Sequence, residues 1–222
     1  MFKRKILSNL EAWKQDERHK PLILRGARQV GKTTIVNEFG SRFDNYLYFN
    51  LEMGENVRLF EMDIPLNDLI NMLFASLGKT QHEGTTLIFI DEIQNSPKTI
   101  ALLRYFYEQR PDLYVIAAGS LLENLVDVNV SFPVGRVTYL ALRPCSFYEF
   151  LGAIGKNNLL TILSQKAEYT IAFHEQLMHQ FNLYAIIGGM PEAVQRYAET
   201  QSIIAIENVY ETLVQAYKDD SE

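Results

Sequence analysis

The chain of 222 residues, 47% hydrophobic and 22% charged, is long enough for one full domain with a small appended unit, and its composition excludes fibrous and disordered classes. A net charge of −6 and a pI near 5.3 exclude the broad cationic footprint of a nucleic-acid binder, so nucleic acid is not indicated as a partner. A single cysteine, Cys145, rules out an internal disulfide and reads as a packing residue. No apolar run approaches the roughly 20 residues of a membrane helix, and polar and acidic residues interrupt the basic start at Lys3-Arg4-Lys5, so a cytoplasmic location without membrane contact is expected.

In chain order, Ile6, Leu7, Leu10 and Trp13 recur at helical spacing and predict an amphipathic helix over residues 3–17. Residues 21–25 read as a short buried strand. A glycine-bearing loop follows, then a helix over 33–39 stopped by Gly40. The alternation continues with a strand at 46–49, a helix from about Pro65 to Leu77, and a strand at 86–90. A helix over 97–109 follows, with Ser96 as N-cap and Pro97 in its first turn, and strands at 113–118 and 137–142 complete the series. Short strands separated by helices imply βαβ units and an α/β fold with a mainly parallel sheet of five strands.

Beyond Arg143-Pro144 the strand signals cease. Ser146 and Glu149 form a capping box, and further helices fit 172–187, 191–198 and 203–217. The expected organisation is a core with its N-terminal helix at 1–143 and a helical subdomain at 144–222.

Gly26-Ala27-Arg28-Gln29-Val30-Gly31-Lys32-Thr33 matches G-x-x-x-x-G-K-[ST] and lies between a strand and a helix, as a phosphate-binding loop must. Several donors must converge on a triphosphate, which a loop achieves by turning its amides inward, with glycine where a Cβ would obstruct. Residues 26–33 and Thr34 are therefore the nucleotide-binding candidates. Lys32 bridges the β and γ phosphates, and the Thr33 hydroxyl ligates Mg²⁺. Arg28 reads as a phosphate contact or as an exposed, partner-facing charge.

A second signal, TLIFI followed by Asp91-Glu92, ends an apolar strand in two acids 59 residues after Lys32. Asp91 is the metal candidate, and Glu92 the residue that orients and deprotonates water. A third strand ends at Gly119-Ser120; Ser120 reads as a contact to the γ phosphate or lytic water, or as a helix N-cap. The absence of N-K-x-D favours adenine, so ATP and Mg²⁺ are the expected cofactors. His174 and His179, five residues apart, lie about 140° apart around a helix and cannot share one zinc. Phe147, Tyr148 and Phe150 read as core of the helical region.

The ordered set LILRGARQVGKTT, TLIFIDEIQ, AAGSLLE, FPVGRVTYLALRPCSFYEFL and GGMPEAV resembles the bacterial and archaeal AAA+-type P-loop ATPases related to the signal-transduction ATPases with numerous domains. The resemblance implies the additional-strand P-loop arrangement, sheet order 5-1-4-3-2, with a helical lid after the last strand. It places in Arg136 an arginine that reaches a γ phosphate, often on a neighbouring subunit of a homo-oligomer. The other reading of Arg136 is a structural ion pair at a strand start. It also makes Gly188-Gly189-Met190-Pro191 the lid element that contacts the nucleotide through Pro191, while Gly-Gly and Pro191 are explained equally by one helix ending and the next beginning. A lid arginine of the second-sensor kind is not evident.

Larger relatives carry a further C-terminal domain, and this chain ends in Lys-Asp-Asp-Ser-Glu before such a region. A truncated chain whose effector domain or protein partner lies elsewhere is expected. The implied activity is ATP hydrolysis as a nucleotide-dependent switch. Two alternatives remain from the residues themselves: a P-loop small-molecule kinase, and a non-hydrolysing nucleotide-binding interaction module.

Overall fold

A computed structural model describes residues 2–81, 83–119, 133, 135–165 and 171–219. The chain divides into two compact units, Leu7–Leu142 and Met1–Ile6 with Arg143–Glu222. The first six residues thus group with the helical unit rather than with the sheet.

The larger unit runs α1 (Ile6–Gln15), β1 (Leu22–Arg25), α2 (Lys32–Gly40), β2 (Asn45–Asn50), α3 (Gly54–Phe60), α4 (Leu66–Ser76), β3 (Thr86–Asp91), a 3₁₀ turn (Ile93–Asn95), α5 (Pro97–Gln109), β4 (Leu113–Gly119) and β5 (Thr138–Ala141). Its five strands form one parallel sheet in the order β2-β3-β4-β1-β5. This is the expected 5-1-4-3-2 order read from the other edge. Burial explains the assignment: β3 is buried at every position and β4 and β1 at nearly every one, whereas β2 and β5 alternate with partly exposed residues, as edge strands do.

The two-residue period sends Leu47, Phe49, Ile88, Ile90, Val115 and Ala117 into one core with Phe60 of α3, Leu69 and Leu73 of α4, and Leu103 and Phe106 of α5. Opposite-parity residues of β2 and β3, Tyr48, Asn50, Phe89 and Asp91, share the other face. At the amino end of the sheet, Trp13 of α1 meets Phe39 of α2 and Tyr114 of β4. The chain passes from β1 to one edge strand, β2, and from β4 to the other, β5, so the strand order reverses between β1 and β4, the place where open sheets of this kind bind ligands at their carboxyl ends.

The second unit contains α6 (Phe147–Ala153), α7 (Asn157–Gln165), α8 (Ile171–Ile187), α9 (Pro191–Thr200), a 3₁₀ turn (Ile204–Ile206) and α10 (Glu207–Asp219). Cys145, Phe150, Ile187, Val194, Tyr197 and Ile206 form its main core. The capping box is present, and Glu149 also accepts from Arg4 Nε at 3.0 Å and Lys5 N at 2.9 Å. Gly188 has φ +72°, and a Cβ on Gly189 would lie 2.4 Å from Cys145 O. Both glycines are therefore needed where α8 gives way to α9. Among the described residues, no helix is long and apolar enough to cross a membrane.

The helical expectations are corrected at four places. Helices α3 and α7 occupy stretches for which the sequence predicts no element. The last helix, expected over 203–217, is a 3₁₀ turn followed by α10 at Glu207–Asp219. The first helix, expected over 3–17, is confined to Ile6–Gln15.

Candidate active site

Residues 26–31 join β1 to α2. Gly26 is required by space, since a Cβ there would sit 2.3 Å from the carbonyl oxygen of Leu142, whose own amide donates to Arg25 O at 2.7 Å. Gln29 (φ 61°) and Gly31 (φ 89°) adopt left-handed backbone on either side of fully buried Val30, which anchors the loop. Alternation of this kind turns successive amides toward one concavity. Gly31 starts α2 without a side-chain cap, so the first-turn amides of Lys32, Thr33 and Thr34 lie at a helix N-terminus suited to an anion. Ala27, Arg28 and Gln29 are exposed along the loop.

Lys32 is only 6% exposed, and its ammonium donates to Gly26 O at 2.8 Å and Ala27 O at 2.9 Å. Burial, the largest influence, pushes its pKa below the ordinary lysine value; the carboxylates of Glu92 and Asp91 hold it up, and Arg28 lowers it further. A desolvated cation inside the loop is poised for a multiply charged anion.

Asp91 ends β3 at 2% exposure, on the face that α2 covers. The Thr33 hydroxyl donates to its Oδ2 at 2.6 Å, and the Glu92 amide donates to its Oδ1 at 3.1 Å. Burial raises the Asp91 pKa above the usual carboxylate value. The Thr33 hydrogen bond, the Glu92 amide and Lys32 pull it back down, and Glu52 adds a smaller upward push. The donor set fits a small hard cation, because a hydroxyl and a carboxylate, supplemented by water and phosphate oxygens, are the ligands Mg²⁺ prefers.

Glu92 has left-handed backbone (φ 53°, ψ 46°), uncommon for a residue with a side chain. Its Oε2 accepts from Gln94 Nε2 at 2.5 Å. Lys32, Thr33, Asp91 and Glu92 are therefore brought together by two elements 59 residues apart in sequence.

Arg136 is held elsewhere in the same unit. Arg136 precedes β5 and pairs through Nε with Glu108 Oε1 of α5 at 2.5 Å; this pairing, then that with Arg104, holds Glu108 below its usual pKa. Pro191 is the first residue of α9 in the other unit. Ser120 lies outside the described residues. Sequence reading missed Tyr48, Asn50, Glu52 and Gln94. The Tyr48 pKa is raised first by burial and next by the charge of Asp91, and Asn50 pairs with Asp91 in the sheet register. The alternation of β2 already sets Tyr48 and Asn50 on one face; only the strand order brings that face to Asp91.

A sequence profile of the AAA domain family matches residues 18–151, more than half of the chain. A search of the curated proteins finds no match. Among solved structures, PCH-2 of C. elegans is similar at 11% identity over 89% of this chain and 62% of that one, with a TM-score of 0.46. The ORC1 protein of Aeropyrum pernix in complex with DNA is similar at 12% identity over 82% and 65%, TM-score 0.44. Drosophila ORC bound to DNA gives 14% identity over 87% and 58%, TM-score 0.47. The chain thus spans about three fifths of the length of these structures.

Proposed function

The chain belongs to the AAA domain family, and from that premise we propose that it binds Mg-ATP in the loop of residues 26–34 and hydrolyses it. The observation that carries this reading is the meeting of the Thr33 hydroxyl and the Asp91 carboxylate at 2.6 Å beside the desolvated Lys32 ammonium. Loop amides and Lys32 hold the phosphate chain, and Thr33 and Asp91 hold the metal. A bound Mg²⁺ supplies charge neutralisation on the phosphate oxygens. Glu92 orients water and accepts its proton as the water oxygen adds to the γ phosphorus and ADP departs with the bridging oxygen.

Switching and output rest on the resemblance and belong to the proposal: nucleotide state is communicated to an effector domain or protein partner, and the setting is cytoplasmic. For Arg136 to reach a phosphate, in its own or a neighbouring subunit, it must exchange Glu108 for that phosphate. The same Glu108 contact supports a second reading of this one residue, a structural ion pair.

Phosphate release from Mg-ATP without an added acceptor tests the reaction and separates it from a kinase. Lys32→Ala is expected to abolish nucleotide binding, whereas Glu92→Gln keeps binding and loses about 10²- to 10⁴-fold in turnover. Turnover unchanged by Glu92→Gln, or equal loss of binding in both variants, overturns these roles.

A further inference from the structure

We infer that Gln94 is a positioning residue for hydrolysis: its side-chain amide holds one carboxylate oxygen of Glu92 so that the other is presented to water. The inference rests on the reading of Glu92 given above.

Three observations carry it. First, the backbone is shaped for the contact. Glu92 takes left-handed φ and ψ, and the chain passes at once into the single 3₁₀ turn Ile93–Asn95, closed by Asn95 N donating to Glu92 O at 3.1 Å. Residues two apart do not face one another on an α-helix or lie this close along a strand. This turn brings Gln94 Nε2 to 2.5 Å from Glu92 Oε2. A left-handed conformation on a residue with a Cβ is costly and persists where the surroundings impose it. Here they do: Ile93 is fully buried, and the Asn95 side chain donates to Leu51 O at 3.3 Å.

Second, the orientation of the amide is determined. Gln94 Oε1 is buried and has no hydrogen-bond partner among the described residues. Rotating the amide by half a turn would set that oxygen against the Glu92 carboxylate, acceptor against acceptor, so Nε2 must face Glu92. An amide that leaves its carbonyl buried and unsatisfied is a poor choice for stability. Its donor accounts for its presence.

Third, the Glu92 main chain is tethered beside the phosphate loop: the Thr33 hydroxyl, at the start of α2, donates to Asp91 Oδ2 at 2.6 Å. The Glu92 amide is at the same time tied to Asp91 Oδ1. Main chain and side chain of Glu92 are thus both fixed, by Asp91 and by Gln94, leaving Oε1 as the oxygen that can take a proton. A general base held within hydrogen-bond reach in the correct direction gains rate because little reorganisation remains.

The test is a double-mutant cycle on the full chain with Mg-ATP. Gln94→Met keeps length and bulk but removes the donor, and is expected to lower kcat about 10- to 100-fold while KM and ATP affinity stay within about twofold. In a Glu92→Gln background, Gln94→Met is expected to cost nothing further, because the group it positions is already gone. A purely structural role would lower the thermal midpoint and nucleotide affinity together and would add to Glu92→Gln. Should Gln94→Met not fold, Gln94→Ala repeats the comparison without adding bulk. Unchanged kcat in Gln94→Met alongside an inactive Glu92→Gln overturns the positioning role and leaves hydrolysis by Glu92 standing. Turnover undiminished in Glu92→Gln overturns both.

Discussion

Replacing Thr33 by Val keeps the branched shape and removes the hydroxyl that donates to Asp91 Oδ2 at 2.6 Å. Asp91 is 2% exposed, and burial already lifts its pKa, with the Thr33 hydrogen bond the strongest restoring influence. A hydrogen bond to a buried charge contributes about 1.5–3 kcal/mol, which for a chain of this size lowers the melting midpoint by roughly 3–12 °C. The sign with pH follows from the raised pKa. The native state binds the Asp91 proton more tightly than the unfolded chain does, so ionisation costs native stability as pH rises through the raised value. Thr33→Val deepens that cost. The gap between wild type and variant is therefore complete at neutral pH and shrinks as pH falls and Asp91 takes up its proton in both. Thermal unfolding without nucleotide, followed from pH 7.5 to pH 4, is the assay. A variant as stable as wild type at neutral pH, or a gap unaltered by acid, would refute the coupling of Thr33 to an ionised Asp91.

Two further perturbations examine the frame that holds the site and the unit beside it. Gly26→Ala puts a Cβ 2.3 Å from Leu142 O, so β1 and β5 must part; a loss of about 1–3 kcal/mol in thermal unfolding and weaker ATP binding by titration are expected, and a neutral variant would contradict the close approach. Glu149→Ala removes the acceptor of Arg4 Nε, Lys5 N and Ser146 N and leaves a buried guanidinium, costing about 3 kcal/mol. Burial pushes the Glu149 pKa up, but the amides of Ser146 and Lys5 and the charge of Arg4 outweigh it and hold the group below its ordinary 4.5. Its contribution is accordingly present above pH 4.5 and lost as pH falls below it, so wild type and variant should converge in acid when unfolding is followed by circular dichroism.

The parts of the fold legible in the sequence are those with local causes. Continuous apolar runs predict β1, β3 and β4 because a strand buried on both faces needs nothing else. Helix α5 begins where Ser96 accepts from Thr99 N and Pro97 takes the first turn, and it spans Pro97–Gln109 as the caps predict. The helices that escaped lack such signals. Helix α3 has Met53 at its N-cap position without a side-chain cap, and runs only seven residues. In α7, Thr161 bonds back to Asn157 O at 2.9 Å and Ser164 back to Leu160 O, using polar residues that read as loop formers when seen alone.

In the candidate site, the meeting of Lys32 and Thr33 at the start of α2 with Asp91 and Glu92 at the end of β3 is legible, because a glycine-bearing strand-to-helix loop and an acidic strand end mark both places. The left-handed Glu92 and the Gln94 contact are not, since tertiary packing of Ile93 and Asn95 imposes them. The partner of Arg136, Glu108, lies 28 residues away on another element and leaves no local trace.

The most direct test of the account is a crystal structure with a non-hydrolysable ATP analogue and Mn²⁺ in place of Mg²⁺, with the metal located by its anomalous scattering. The predicted result is one peak bonded to the Thr33 hydroxyl and to Asp91, directly or through one water, with the phosphates wrapped by the amides of residues 26–34. A nucleotide bound away from that loop, or a metal peak beyond the reach of both side chains, would contradict it.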